Sequence, residues 1–279
     1  MSDMNGFEGD VEDGKPVVEL FIKASHICKE DKGPCPISQQ WFMVFYILAE
    51  KKYLNLFVTT VNPDMPPEAY QALEVGRHLP VARVIKGADP RGSDLSNTVF
   101  DTNDEIEQLM DIWKCPCLAL PKESADEGEA EKAFYDLYKN LNLMLKTENS
   151  TPLLHVLRRI DSFLGSRGCR FLLSDELTYA DCQLMPKLHH VKMAGKFYRD
   201  FDVPADLNNL QAYYSAMYDC EAFRCSCPAD RDLYQLYHDK LPKNLVAQRP
   251  QPSLMDDSRV LLGESGSGGI GSAGNGAGH

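Results

Sequence analysis

The chain has 279 residues, 43% of them hydrophobic, enough to bury the core of one large globular unit or two ordinary domains and too many for a disordered polymer. Its 41 acidic and 29 basic side chains leave a formal net charge of −12, a field that repels phosphates and argues against a nucleic-acid partner. Nine cysteines follow an N-terminus, MSDMNGFEGDVEDG, with neither a basic region nor an apolar core; this points to reduced thiols in cytosol or nucleus, not to a secreted disulfide scaffold.

Residues 1–14 read as a solvated acidic tail. Residues 17–24 (VVELFIKA) form a short apolar run expected as a central strand. A turn-rich stretch, 25–34, leads to Pro36, which suits the first turn of a helix expected over 36–50. The most apolar part of that helix, 41–49, is followed at once by Glu50-Lys51-Lys52. A membrane span needs about 20 mostly apolar residues, so this reads as a buried core helix and no permanent transmembrane helix is expected. Further strands are expected at 54–61, 81–85 and 98–100, with helices at 68–75 and 103–113. The order β-α-β-α-β-β-α is the thioredoxin arrangement, its leading strands parallel and a hairpin closing the sheet. Beyond it the pattern changes to helical periodicity alone, over 129–146, 152–164, 179–197, 207–218 and 229–240. The expected organisation is a disordered tail (1–14), a thioredoxin-like domain (15–115), an all-helical domain (116–245) and a flexible Gly/Ser-rich tail (246–279).

The sharpest chemical feature is Cys35-Pro36-Ile37-Ser38. A cysteine just ahead of a helix sits where unpaired N–H groups and the helix dipole favour a nucleophilic thiolate. Ser38 stands where a dithiol oxidoreductase carries its second cysteine, so a mixed disulfide with a small thiol is the natural product; the alternative is a buried structural cysteine. Pro80, just ahead of the third strand, occupies the place where thioredoxin-like folds carry a cis peptide. A cis bond there would turn the main chain of Leu79 towards a peptide ligand such as glutathione. Asp101-Thr102 could hold the γ-glutamyl end of that ligand at a helix start, or serve as a plain helix cap. The candidate glutathione set is therefore Cys35, Pro36, Leu79, Pro80, Asp101 and Thr102, with Cys35 as the catalytic thiol.

Thr178 and Asp181 match a structural capping box, and Pro186 should kink the helix that follows or force a local adjustment in it. Cys115-Pro116-Cys117 and Cys225-Ser226-Cys227 lack the spacing and histidine partners of a zinc site and read as packing cysteines. His189 and His190, adjacent on a helix, cannot face one ion, so no metal is expected.

The segments KGPCPISQQWFMV, NLFVTTVN, HLPV, FDTNDEIE, FLLSDELTYADCQLMPKLHHV and SCPAD together resemble the chloride intracellular channel (CLIC) family of the glutathione-transferase superfamily, across roughly residues 15–243. The resemblance implies a glutathione-transferase-like fold, a soluble cytoplasmic form that associates conditionally with membrane lipid, and a link to chloride conductance. It also implies glutaredoxin-like, glutathione-dependent oxidoreductase behaviour at Cys35. The membrane segment it implies matches about residues 35–61, whose insertion would take the N-terminal domain apart and require Glu50, Lys51 and Lys52 to snorkel or pair. Two departures stand out: Glu74 occupies the position where some members carry a second cysteine, and the link at 165–170 is short and basic where vertebrate members have an acidic loop. Three readings stay open: a chloride-conducting dimorphic protein, a glutathione-dependent thiol oxidoreductase, and a non-catalytic scaffold with cytoskeletal or other protein partners.

Overall fold

The computed structural model describes Glu12 and residues 14–247; most of both expected tails lies outside the described residues. Four strands make one sheet: β1 (Val17–Lys23), β2 (Asn55–Val61), β3 (Val81–Lys86) and β4 (Thr98–Phe100), in the order β2-β1-β3-β4. β1 runs parallel to β2, while β3 is antiparallel to both β1 and β4. Helices α1 (Pro36–Glu50), α2 (Glu68–Gln71) and α3 (Asn103–Trp113) complete this half. The second half is helical: α4 (Ala125–Phe134), α5 (Leu137–Thr147), α6 (Thr151–Arg167), α7 (Tyr179–Arg199), α8 (Asn208–Asp219), α9 (Glu221–Ser226), α10 (Asp230–His238) and α11 (Lys243–Val246).

Alternation along β1 explains its two-sided burial. Val18, Leu20 and Ile22 enter the main core with α1, while Phe21 joins Val61, Tyr70 and Val81 in a small cluster on the opposite face. α1 is apolar on several sides because it is covered on several sides, lying between the sheet and helices α7 and α9. Trp41 marks the junction: its indole lies 5.9 Å from the Tyr179 ring, and its Nε1 donates to Asn103 at 2.9 Å. One continuous core therefore runs from the sheet through α1 into the helical half.

Three sequence expectations need correction. The helix expected over 68–75 stops at Gln71. The one expected over 129–146 is two helices, α4 and α5, broken at Tyr135-Asp136, where Arg159 from α6 donates to the carbonyl of Ala133 and pairs with Asp136. The link expected at 165–170 begins inside a helix, since Gly165, Ser166 and Arg167 form the last turn of α6 and Gly168 (φ 65°) ends it. α7 runs on through Pro186 for 21 residues. Among the described residues no helix is long and apolar enough to cross a membrane.

Candidate thiol site at the edge of the sheet

Strand register brings three separated segments to one edge of the sheet. Phe21 of β1 pairs with Val81 of β3, so Pro80 lies level with the end of β1, from which the chain leads to Cys35. Ala82 pairs with Phe100, which sets Asp101 beside the start of β3. The Leu79–Pro80 peptide is cis.

The loop from β1 to α1 is held by backbone contacts that leave no room at Gly33. Its N–H donates to the Lys23 carbonyl at 2.7 Å, and a Cβ there would lie 2.3 Å from the carbonyl oxygen of Ala24. The Ser25 N–H donates to Asp31 O at 2.8 Å, and the Asp31 N–H to Cys28 O at 2.9 Å. From α1, the buried Ser38 hydroxyl accepts from the Lys23 N–H at 3.2 Å, tying the first helical turn to the strand end. Cys35 is the N-cap residue, in extended conformation (φ −103°, ψ 111°), with Pro36 opening the helix and no acidic side chain in the first turn. Its thiol is partly exposed. The residue so placed stands at the positive end of the helix dipole, and its side chain makes no capping hydrogen bond.

The helical half contributes two groups that no local sequence signal announces. Tyr138 of α5 and Lys240, just past α10, both feel the charge of Cys35. Burial raises the Tyr138 hydroxyl above its ordinary range; a hydrogen bond from Tyr237 opposes this, and the nearby Cys35 adds to the rise. Burial, helped by the nearby Lys23 ammonium, holds Lys240 below the usual lysine range. Behind Tyr138 the Tyr237 hydroxyl stands at 3.3 Å, and His190 Nδ1 follows 2.9 Å from Tyr237. One turn from Cys35, on the same helix face, the buried amide of Gln39 has no hydrogen-bond partner among the described residues.

Asp101 and Thr102 sit at the start of α3. The Thr102 hydroxyl accepts from the Glu105 N–H at 3.2 Å, and the Glu105 carboxylate accepts from the N–H groups of Asp101 (3.0 Å) and Thr102 (3.3 Å), a reciprocal capping box. The Thr102 hydroxyl is thus engaged in capping, and the Asp101 side chain also acts on the Glu105 carboxylate. At the start of α7, Asp181 is wholly buried. Its carboxylate accepts from the Thr178 N–H (2.9 Å) and hydroxyl (2.8 Å), the Leu172 N–H (3.0 Å) and the Tyr213 hydroxyl (2.7 Å). His189 and His190 are buried against different tyrosines, with Nδ1 of His189 2.7 Å from Tyr218; burial, as the main cause, holds both imidazoles below their ordinary pKa. Among the described residues no group of three or more His, Cys, Asp or Glu could hold a metal ion.

A thioredoxin-like sheet with a cysteine at the first helix, a cis-proline before β3 and an appended helical domain defines a glutathione-transferase-like protein. A CLIC-like N-terminal domain matches residues 16–88, and a glutathione S-transferase C-terminal domain matches residues 150–216. The Drosophila melanogaster chloride intracellular channel Clic is 35% identical over 240 residues, covering 84% of this chain and 85% of that one. Among solved structures, the CLIC homologue EXC-4 from C. elegans superposes with a TM-score of 0.69 at 28% identity, over 87% of this chain and 94% of that one. Dehydroascorbate reductase from Chlamydomonas reinhardtii shares the fold, with a TM-score of 0.63 at 18% identity over 80% of this chain and 98% of its own. The chain belongs to the chloride intracellular channel family.

Proposed function

We propose that this chain is a chloride intracellular channel protein whose folded, glutathione-transferase-like form associates with membranes conditionally and there conducts chloride. The observation that carries this reading is the 35% identity to the Drosophila channel protein across both halves of the fold. Membrane entry by residues 35–61 requires α1 to leave its cover of sheet, α7 and α9. The test is chloride efflux from loaded liposomes at neutral and acidic pH; efflux no faster than from protein-free vesicles at either pH overturns it.

A second activity is favoured by the Cys35 geometry. A partly exposed cysteine at a helix start, on a fold with a cis-proline before β3 and with an unpartnered Gln39 amide one turn on, suits glutathione-dependent thiol–disulfide exchange. The Cys35 thiolate attacks the glutathione sulfur of a mixed disulfide between glutathione and a small thiol; the S–S bond breaks, a Cys35–glutathione bond forms, and the small thiolate leaves to take a proton. A second glutathione then attacks the bound one and releases it as oxidised glutathione, restoring Cys35. In this reading Leu79, Pro80 and Asp101 position the tripeptide, with Pro36 and Thr102 at the two helix starts. Cys35→Ser is expected to abolish glutathione-dependent reduction of a small disulfide. Turnover equal to wild type would remove Cys35 from the reaction.

A further inference from the structure

Two other cysteines, which the spacing alone marks as packing residues, form a close pair far along the chain from Cys35. Cys115 follows α3, and Cys117 lies in the 3-10 turn Pro116–Leu118 that opens the link to α4. Their Sγ atoms are 3.4 Å apart. A disulfide bond is about 2.05 Å long, so the sulfurs need to close by only about 1.3 Å. Pro116 limits the freedom of the intervening residue and holds Cys115 extended (φ −70°, ψ 117°).

The surroundings make the two sulfurs unequal. The hydrogen bond between the two sulfurs, in which either can donate, is the largest influence on Cys115 and pulls its thiol below the ordinary range against the effect of burial; the Lys51 ammonium and the Tyr53 hydroxyl act in the same direction and favour the thiolate at Cys115. The same hydrogen bond, with burial, pushes the Cys117 thiol up. Lys51, at the end of α1, is itself ion-paired to Glu176 at 2.8 Å. Cys115 is only 4% exposed, and Cys117 is half-buried. So little exposure favours a small oxidant over a bulky disulfide.

We propose that Cys115 and Cys117 form a second redox site, a dithiol that reacts with hydroperoxides and closes to a reversible disulfide, Cys115 attacking and Cys117 resolving. The Cys115 thiolate attacks one peroxide oxygen. The O–O bond breaks, and the departing hydroxide takes a proton from solvent to become water, leaving a sulfenic acid on Cys115. The Cys117 sulfur then attacks the Cys115 sulfur; the S–O bond breaks, and hydroxide leaves with the Cys117 proton as a second water. Two thiols lose two electrons and two protons, and one hydrogen peroxide becomes two waters. A small thiol reverses the bond by exchange.

The test is peptide mapping of the full chain after treatment with stoichiometric hydrogen peroxide, denaturation and alkylation without reductant. The expected product is a peptide spanning residues 115–117 that lacks two hydrogens, resists alkylation and is restored by dithiothreitol. The same product is expected in Cys35→Ser, which separates this site from the one at the edge of the sheet. In Cys117→Ser, dimedone labelling of Cys115 should rise above wild type, because the sulfenic acid has no resolving partner. Wild-type protein in which both residues stay alkylatable while other thiols oxidise overturns the proposal, as does pairing of either sulfur with a different cysteine.

Discussion

Cys35 owes its position to a residue two places before it. The Gly33 backbone passes so close to Ala24 that any side chain meets a main-chain carbonyl, which cannot swing aside as a flexible side chain would. Gly33→Ala therefore forces the 25–34 loop off the strand end. Overpacking of this kind typically costs about 1–3 kcal/mol, and the urea midpoint should fall accordingly while the rate of Cys35 alkylation changes. An unchanged midpoint and rate would show that the loop does not set the thiol. At this scale the sequence was informative where chemistry is local. Cys35 before a helix-opening proline, the helix cap read at Asp101-Thr102 and the capping box Thr178/Asp181 are each signalled within a few residues; the Glu105 partner of Thr102 came only from the structure. Tyr138, Lys240 and the Cys115–Cys117 contact were not legible, because each depends on side-chain directions or on elements distant in the chain.

Elements were legible where their signal was self-contained. β4, α1 and α3 have the expected bounds, since alternation, Pro36 and a capping residue mark them. The break between α4 and α5 carries no glycine or proline; a contact from α6 creates it, and periodicity alone could not reveal it. α9, at six residues, is too short to show a period. The start of α7 gives two tests of how helices are joined. Asp181→Ala leaves a buried main-chain N–H and a buried tyrosine hydroxyl unpaired besides removing the cap, a loss of about 3 kcal/mol in urea unfolding. Glu127 of α4 accepts from the Ala180 N–H at 2.9 Å, and burial, reinforced by Asp181, pushes its carboxyl up to about 7. The folded chain then holds a proton that the unfolded chain, titrating near 4.5, releases. Its contribution to stability is full below that lower value and is lost as pH rises through about 7, a swing of roughly 3 kcal/mol. Glu127→Gln should remove this dependence and gain on wild type between pH 5 and pH 8; a difference that stays constant over that range would refute the shift.

For the whole molecule the decisive feature is that α1 belongs to both halves. Trp41, Phe42, Met43, Val44, Phe45, Ile47 and Leu48 are all buried. Exposing them to water would cost on the order of 10–20 kcal/mol, as much as the entire stability of a typical domain. The proposed release of residues 35–61 would therefore be favourable only where an apolar phase receives them, which is why the efflux test at either pH uses lipid vesicles. The seam between the halves, which the proposed membrane entry would open, is pinned near the thiol by α10. Arg231 is buried and donates to Asp31 of the thiol loop at 3.0 Å, while the Ser25 hydroxyl donates to Asp232. Burial raises the Asp232 carboxyl, and the Ser25 hydroxyl and Arg231 offset part of that rise. Arg231→Ala leaves two carboxylates facing each other across the seam without their shared cation. Because Asp31 is partly exposed and hydrates in the variant, the loss falls below that of a fully buried pair, at about 2 kcal/mol. The damage should not stay in α10. Cys35 alkylation should speed up as the loop loosens, while alkylation of the buried Cys182 in the helical core should change far less. If both thiols accelerate together, the halves unfold as one unit and the seam is no independent hinge.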